Sequence, residues 1–326
     1  MELYDKEELC FPQLLNTSCK KPTLQGPDVV LLNIVLSIVS FFTAALNLLV
    51  IISVSHFRQL HTPTNILLLS LAVSDFLVGL LLMPLEIYKK ITCWGNIMCF
   101  LYGFLIAHIV SASIGTIVLI SADRYVAICH PLHYPVKITM TKVKCCVCLC
   151  WISNAFYRIL FFKDELFQPG RSNSCIGQCA FVTHYLAQLV DFTLNFIVPI
   201  TVIVFLYLRV FVVAVSQART MHSHIAAVKS NHSVNFKKKS ELKAARTLGI
   251  LVIVYLICFC PYYCYSLVQV KVTSTSYAPF LVFLFYFNSC LNPLIYALFY
   301  PWFRKAVKLI LTLQILQPGS REANIL

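Results

Sequence analysis

Four carboxylates and one guanidinium stand inside, or at the edges of, long apolar runs: Asp75, Glu86, Asp123, Arg124 and Asp191. Charge at membrane depth is costly, and side chains that persist there usually serve a site or a switch. Asp191 precedes Pro199 by eight residues, about 12 Å along a helix at 1.5 Å per residue. It lies 18 residues before Arg209, roughly 27 Å, so it falls in the outer third of its run. No basic side chain in the runs is an obvious partner, so this carboxylate would protonate or await a cationic ligand. Its charge suits an amine counter-ion; the plainer alternative is a hydrogen-bonded or water-facing Asp at a helix mouth.

Asp75 sits mid-run in LAVSD. Asn47, Ser113, Asn288 and Asn292 are polar residues at similar depth. Together they suit either a hydrated sodium ion or a polar packing knot. Glu86 follows Asp75 by eleven residues, close to three helical turns, and so shares its face near the outer end. It is a second cation contact or a partner for Lys89 or Lys90 one turn on. Asp123-Arg124-Tyr125 ends the third run. Arg124 can pair with Asp123 beside it and with Glu241 at the base of the sixth. Such a pair is either a two-state latch between helix ends or an ordinary interfacial anchor. Phe259, Tyr262, Tyr263 and Tyr286 can wall an ammonium by cation–π contact. No phosphate loop, His-x-x-x-His pair or nucleophile elbow is present, which argues against an enzyme. His108, His130, His133 and His184 are scattered, and Cys145, Cys146, Cys148 and Cys150 crowd one run with no His partner, which disfavours a metal site.

The elements that must carry these residues are membrane helices. The chain has 326 residues, of which 59% are hydrophobic and only 12% charged; an ordinary soluble domain carries about 25% charge. That composition excludes a disordered chain, a typical cytosolic enzyme and a nucleic-acid-binding domain. Seven segments reach or approach the roughly 20 apolar residues of a span: about 29–54, 65–88, 98–122, 144–162, 184–214, 248–270 and 277–299. Strand alternation is absent, so the spans are helices. Of the 26 Lys and Arg, 17 fall in one set of alternate connections and the tail. That side faces the cytoplasm by the positive-inside rule, which puts the amino terminus outside and the carboxyl terminus inside a plasma-membrane protein. The net charge of +13 is therefore mostly a topology signal. The polar first residues leave insertion to the first span, uncleaved. Asn16 heads a usable outer glycosylation sequon, whereas Asn231 heads one on the cytoplasmic side. Cys10, Cys19, Cys93, Cys99, Cys175 and Cys179 lie outside or at the rim, an even number that suggests bridges without fixing their pairing.

In order and spacing, LNLLVI (46–51), LAVSD (71–75), SADRYVAICHPLHY (121–134), Trp151, Pro199, FCP (259–261) and NPLIY (292–296) resemble the motifs of rhodopsin-like G protein-coupled receptors. NSCLNPLIYALFYPWF (288–303) is similar to the fingerprint of trace amine-associated receptors, with Asn288, Ser289, Asn292, Pro293, Tyr296, Trp302 and Phe303 carrying the match. The resemblance implies an amine-binding Asp on the third span, 18 residues before Arg124, where this chain has Ile106. Asp191 takes a fifth-span place where some fish members resemble it. Phe259 replaces the usual toggle Trp and Tyr255 the usual Phe of the core switch, whereas Ile114 and Pro199 match. The resemblance also implies a Cys99–Cys179 bridge, and a bridge of Cys175 with Cys10 or Cys19. The family often has a palmitoylated tail Cys, and no Cys follows Pro301 here.

The expected architecture is an all-α seven-transmembrane-helix bundle with a short amphipathic eighth helix on which Phe303, Val307, Ile310 and Leu311 share a face. Residues 1–28 form an extracellular segment, 29–300 the receptor domain, and 301–326 the amphipathic helix and tail. The expected function is a receptor for extracellular amines. A protonated amine pairs with Asp191, and Arg124, Tyr207 and Tyr296 rearrange. A stimulatory or olfactory-type G protein then raises cyclic AMP. No cofactor is expected beyond an allosteric sodium ion at Asp75. The partners are the amine, the G protein and membrane lipids, with no nucleic acid. A class A receptor for a non-amine ligand is the alternative, and a seven-span transporter a remoter one.

Overall fold

The computed structural model describes residues 9–13, 18–20, 26–167, 177, 179, 185–225, 249–265 and 278–325. Six of its helices are long and apolar enough to cross a membrane. These are α1 (Pro27–His56), α2 (Pro63–Ile91), α3 (Asn96–Cys129), α4 (Met140–Phe161), α5 (with the apolar part Tyr185–Val213) and α7 (Ala278–Phe299). A shorter apolar helix, α6 (Gly249–Tyr265), completes seven. The amphipathic α8 (Pro301–Leu311) follows. The helices overlap every apolar run expected from the sequence.

Local chemistry sets the helix ends. Pro27, Pro63 and Pro301 open α1, α2 and α8, where a missing N–H costs nothing. Thr62 and Thr139 cap α2 and α4 by accepting from the N–H of Asn65 and Lys142. Prolines inside a span act differently. The ring of Pro84 would meet the carbonyl four residues back, and α2 widens into a π turn at Val78–Leu82. Pro199 does the same in α5, with a π turn at Thr193–Ile197. Each turn lies within a few residues of an acid singled out above, Glu86 or Asp191.

α3 runs through the middle, packed against α2, α4 and α5, while α1 packs on α2, α7 and α8. Gly79 permits the closest approach of α1 and α2: a Cβ there would stand 2.7 Å from the Ala44 nitrogen, and Ser40 Oγ donates to the Gly79 carbonyl at 2.7 Å. Two disulfides secure one end, Cys10–Cys93 and Cys99–Cys179. The second is the bridge the resemblance implied. The first overturns one alternative, because Cys10 is taken by Cys93 and is not open to Cys175. Cys19 is also disulfide-bonded; Cys175 lies outside the described residues, as does Asn16.

At the other end the chain doubles back after α8. Its buried face is Trp302, Phe303 and Ala306, with Val307 packed beside them, whereas Leu311 is exposed. Residues 314–325 then return to the α1–α2 connection. Ile325 is fully buried and donates its N–H to Gln59 Oε1 at 3.1 Å. His56 Nε2 lies 3.0 Å from Ser320 Oγ.

Candidate functional site

At the disulfide-bonded end, aromatic rings run in an unbroken series between two acids. From α5, Phe196 stacks on Tyr263 at 4.3 Å. Tyr263, Phe259 and Tyr262 follow on α6, and Phe259 and Tyr262 each meet Phe285 of α7 at 4.7 Å. Phe285 touches Tyr286. The Tyr286 hydroxyl lies 3.4 Å from that of Tyr102 on α3, which in turn donates a short hydrogen bond to Glu86 of α2. The expected wall of Phe259, Tyr262, Tyr263 and Tyr286 is therefore one surface. Ile106 packs against the same core from α3, half-buried and uncharged.

Glu86 is buried, and of the two lysines one turn on it lies near Lys90. Its Oε2 accepts from Tyr102, and its Oε1 lies 3.8 Å from Lys90 Nζ. Lys89 instead lies over the Tyr102 ring at 5.0 Å. Tyr262 and Tyr286 both lie within the electrostatic field of the Glu86 carboxylate.

Asp191 requires a correction. The sequence reading found no basic partner for it, yet Arg158 Nη1 donates to its Oδ1 at 2.6 Å. Tyr157 Oη and Asn195 Nδ2 donate to the same oxygen at 3.1 and 2.8 Å. Arg158 is one of the nine Lys and Arg outside the cytoplasmic set. It is only 4% exposed, because α4 turns it toward α3 and α5, with its guanidinium against the Tyr157 and Phe161 rings at 5.2 and 5.7 Å. Asp191 Oδ2 accepts no hydrogen bond among the described residues, and the side chain remains 23% exposed. The carboxylate is thus half engaged and half open. Phe192, next to Asp191 in the chain, lies against Phe196 and Tyr263 with ring centroids 5.2 and 6.2 Å away, which places the Asp191–Arg158 pair at the α5 end of the aromatic wall.

Deeper in the bundle, Asp75 is fully buried and accepts from Asn292 Nδ2 at 2.7 Å. Asp75 Oδ1, Asn47 Oδ1 and Asn288 Oδ1 are buried without a hydrogen-bond partner among the described residues. Asn47 donates instead to the carbonyls of Thr43 and Ser289 at 2.9 and 3.0 Å, tying α1 to α7. Ser113, on α3, is buried.

At the opposite end, Arg124 Nε donates to Asp123 Oδ2 at 2.9 Å. Thr64 Oγ1 and Tyr134 Oη donate to the two Asp123 oxygens at 2.9 and 2.8 Å, and Arg124 also reaches Thr64. Tyr125 packs beside Ile128 and Val210, where α3 meets α5. Glu241, the second expected partner of Arg124, lies outside the described residues. The hydroxyls of Tyr207 and Tyr296 are buried and have no hydrogen-bond partner among the described residues. Tyr207 also lines a small void with Ile120, Leu251 and Asn292.

Sequence reasoning missed Arg158, Ser111, Asn195, Tyr102, Thr64 and Tyr134. For Arg158 a signal existed: an arginine four residues inside the apolar end of a helix is itself a membrane charge that needs an anion. The others are polar side chains with ordinary spacing, and only packing brings them to the acids.

The chain matches the model of the 7 transmembrane receptor (rhodopsin family) over residues 46–296. It is 39% identical to trace amine-associated receptor 13c of Danio rerio, over 99% of this chain and 97% of that protein. It is 37% identical to trace amine-associated receptor 8a of Rattus norvegicus, over 98% and 96%. Trace amine-associated receptor 6 of Pan troglodytes is also 37% identical, over 98% and 95%.

Proposed function

Because this chain belongs to the rhodopsin family of seven-transmembrane receptors, and within it to the trace amine-associated receptors, we propose that it senses extracellular amines through Asp191. Membership makes it a multi-pass membrane receptor rather than an enzyme, with a small-molecule ligand and a heterotrimeric G protein as partners. The observation that carries the amine reading is that Asp191, whose Oδ2 accepts no hydrogen bond among the described residues, stands at the α5 end of an aromatic wall that can enclose an ammonium. The disulfide-bonded end is the outer one, with the amino terminus outside, in keeping with the charge asymmetry of the connections. The G protein is of the stimulatory or olfactory type. Binding favours the state in which the Asp123–Arg124 pair has opened, and it does so only by its differential affinity for the two states. Asp75 Oδ1, with the unpartnered Asn288 Oδ1 and the Ser113 hydroxyl, provides hard oxygen donors suited to a sodium ion. That ion would stabilise the resting state.

A second reading is favoured by two observations: Ile106 stands where amine receptors carry an Asp, and Arg158 offsets part of the Asp191 charge. On that reading the ligand is a neutral small molecule. The test is a cyclic AMP assay of Asp191→Asn with amines and with alcohols of the same carbon skeleton. Because Asp191→Asn leaves Arg158 buried without its counter-charge, Arg158→Gln/Asp191→Asn is run beside it and surface expression is measured for each. The amine reading expects amine responses to vanish in both receptors at normal surface level and alcohols to be inert throughout. Undiminished amine responses, or equal potency of the alcohols, would defeat it.

A further inference from the structure

Arg158 belongs to a closed polar ring across three helices. Its Nη1 donates to Asp191 Oδ1, and its Nη2 donates to Ser111 Oγ at 2.6 Å. Ser111 Oγ donates to Asn195 Oδ1 at 3.1 Å, and Asn195 Nδ2 returns to Asp191 Oδ1 at 2.8 Å. The ring spans α3, α4 and the π turn of α5. The contacts of this ring that reach the Asp191 carboxylate, like that of Tyr157, all fall on one oxygen, Oδ1. The guanidinium is therefore a resident cation at the place where a ligand ammonium would dock.

We propose that Arg158 is a tethered competitor of the ligand: it holds Oδ1 of Asp191, leaves only Oδ2 to an arriving ammonium, and so raises the amine concentration at which the receptor responds. This rests on the amine reading of Asp191 given above. An ammonium about 3 Å from Oδ2 would stand only about 6 Å from the guanidinium, and because the interaction falls as 1/r, about half the attraction is cancelled. A single free oxygen also favours a small primary ammonium, whose N–H groups can reach it, over a quaternary one that offers no donor. Arg158 thereby sets both threshold and selectivity without touching the ligand.

The experiment uses the full-length receptor in cells, with butylamine, 2-phenylethylamine and tetramethylammonium as probes, a cyclic AMP readout and surface labelling. Arg158→Gln removes the competing charge and is expected to lower the half-maximal concentration of both primary amines by about tenfold. Arg158→Lys keeps the charge and stays close to the parent. Ser111→Asp gives Arg158 a second carboxylate at Nη2 while keeping it paired, so it is expected to shift potency in the same direction as Arg158→Gln. It decides the matter alone if Arg158→Gln fails to reach the surface. Unchanged or weaker potency in these two receptors, or a gain in Arg158→Lys equal to that in Arg158→Gln, overturns the proposal. The two layers separate cleanly. A silent Arg158→Gln/Asp191→Asn receptor beside an Arg158→Gln receptor of parental potency leaves Asp191 as the amine site and removes only the competitor. A gain in Arg158→Gln that persists after Asp191→Asn shows that the amine docks elsewhere, and removes both.

Discussion

Glu86 shows how one burial decision assigns a role. It is 8% exposed, and its two oxygens are divided between the Tyr102 hydroxyl and a Lys90 ammonium at 3.8 Å, too long for a hydrogen bond. That leaves an anion at the α2 end of the aromatic wall, with the Asp191–Arg158 pair at the α5 end. Two separated anions suit a diamine. Glu86→Gln keeps the shape and the Tyr102 contact while removing the charge. Dose–response curves for 1,4-diaminobutane should move to about tenfold higher concentration, while those for butylamine should hold. An equal loss for both amines would mean that Glu86 supports the pocket rather than contacting ligand.

At the scale of elements, both π turns arise from proline inside a span, and both re-aim a helix next to an acid. The segment after α8 is held by packing: residues 314–325 fold back, seating Ile325 in the core. Truncating that buried side chain, Ile325→Ala, should cost about 2 kcal/mol, read as a lower melting temperature of the detergent-purified receptor. Glu322→Ala should cost almost nothing, because its pair with Arg58 is exposed at 3.2 Å. If the two variants melted alike, the tail would be lying on the bundle rather than packed into it.

For the whole molecule, the site and the latch occupy opposite ends, joined by α3, which contributes Tyr102, Ile106 and Ser111 at one end and Asp123 and Arg124 at the other. The Asp123–Arg124 pair is formed here, and three side-chain donors hold Asp123: Arg124, Thr64 and Tyr134. Asp123→Asn removes the charge that retains Arg124, so cyclic AMP in the absence of any amine should rise severalfold at matched surface level, a coupling of about 1 kcal/mol or more. A basal level equal to that of the parent would make the pair an interfacial anchor only.

Much of this was legible from residues alone. Seven apolar runs and a handful of membrane-depth acids determined a helical bundle and the candidate charges, because lipid enforces helices and penalises charge at every position independently. The Cys99–Cys179 bridge and the family followed from motifs in order. What only the tertiary structure decided was which charges meet. Asp191 and Arg158 are 33 residues apart, Asp75 and Asn292 are 217 apart, and Cys10 chose Cys93 across 83. Such partners are selected by how helices rotate and close on one another, and a one-dimensional pattern specifies the face of a helix but not the side chain that the neighbouring helix presents to it.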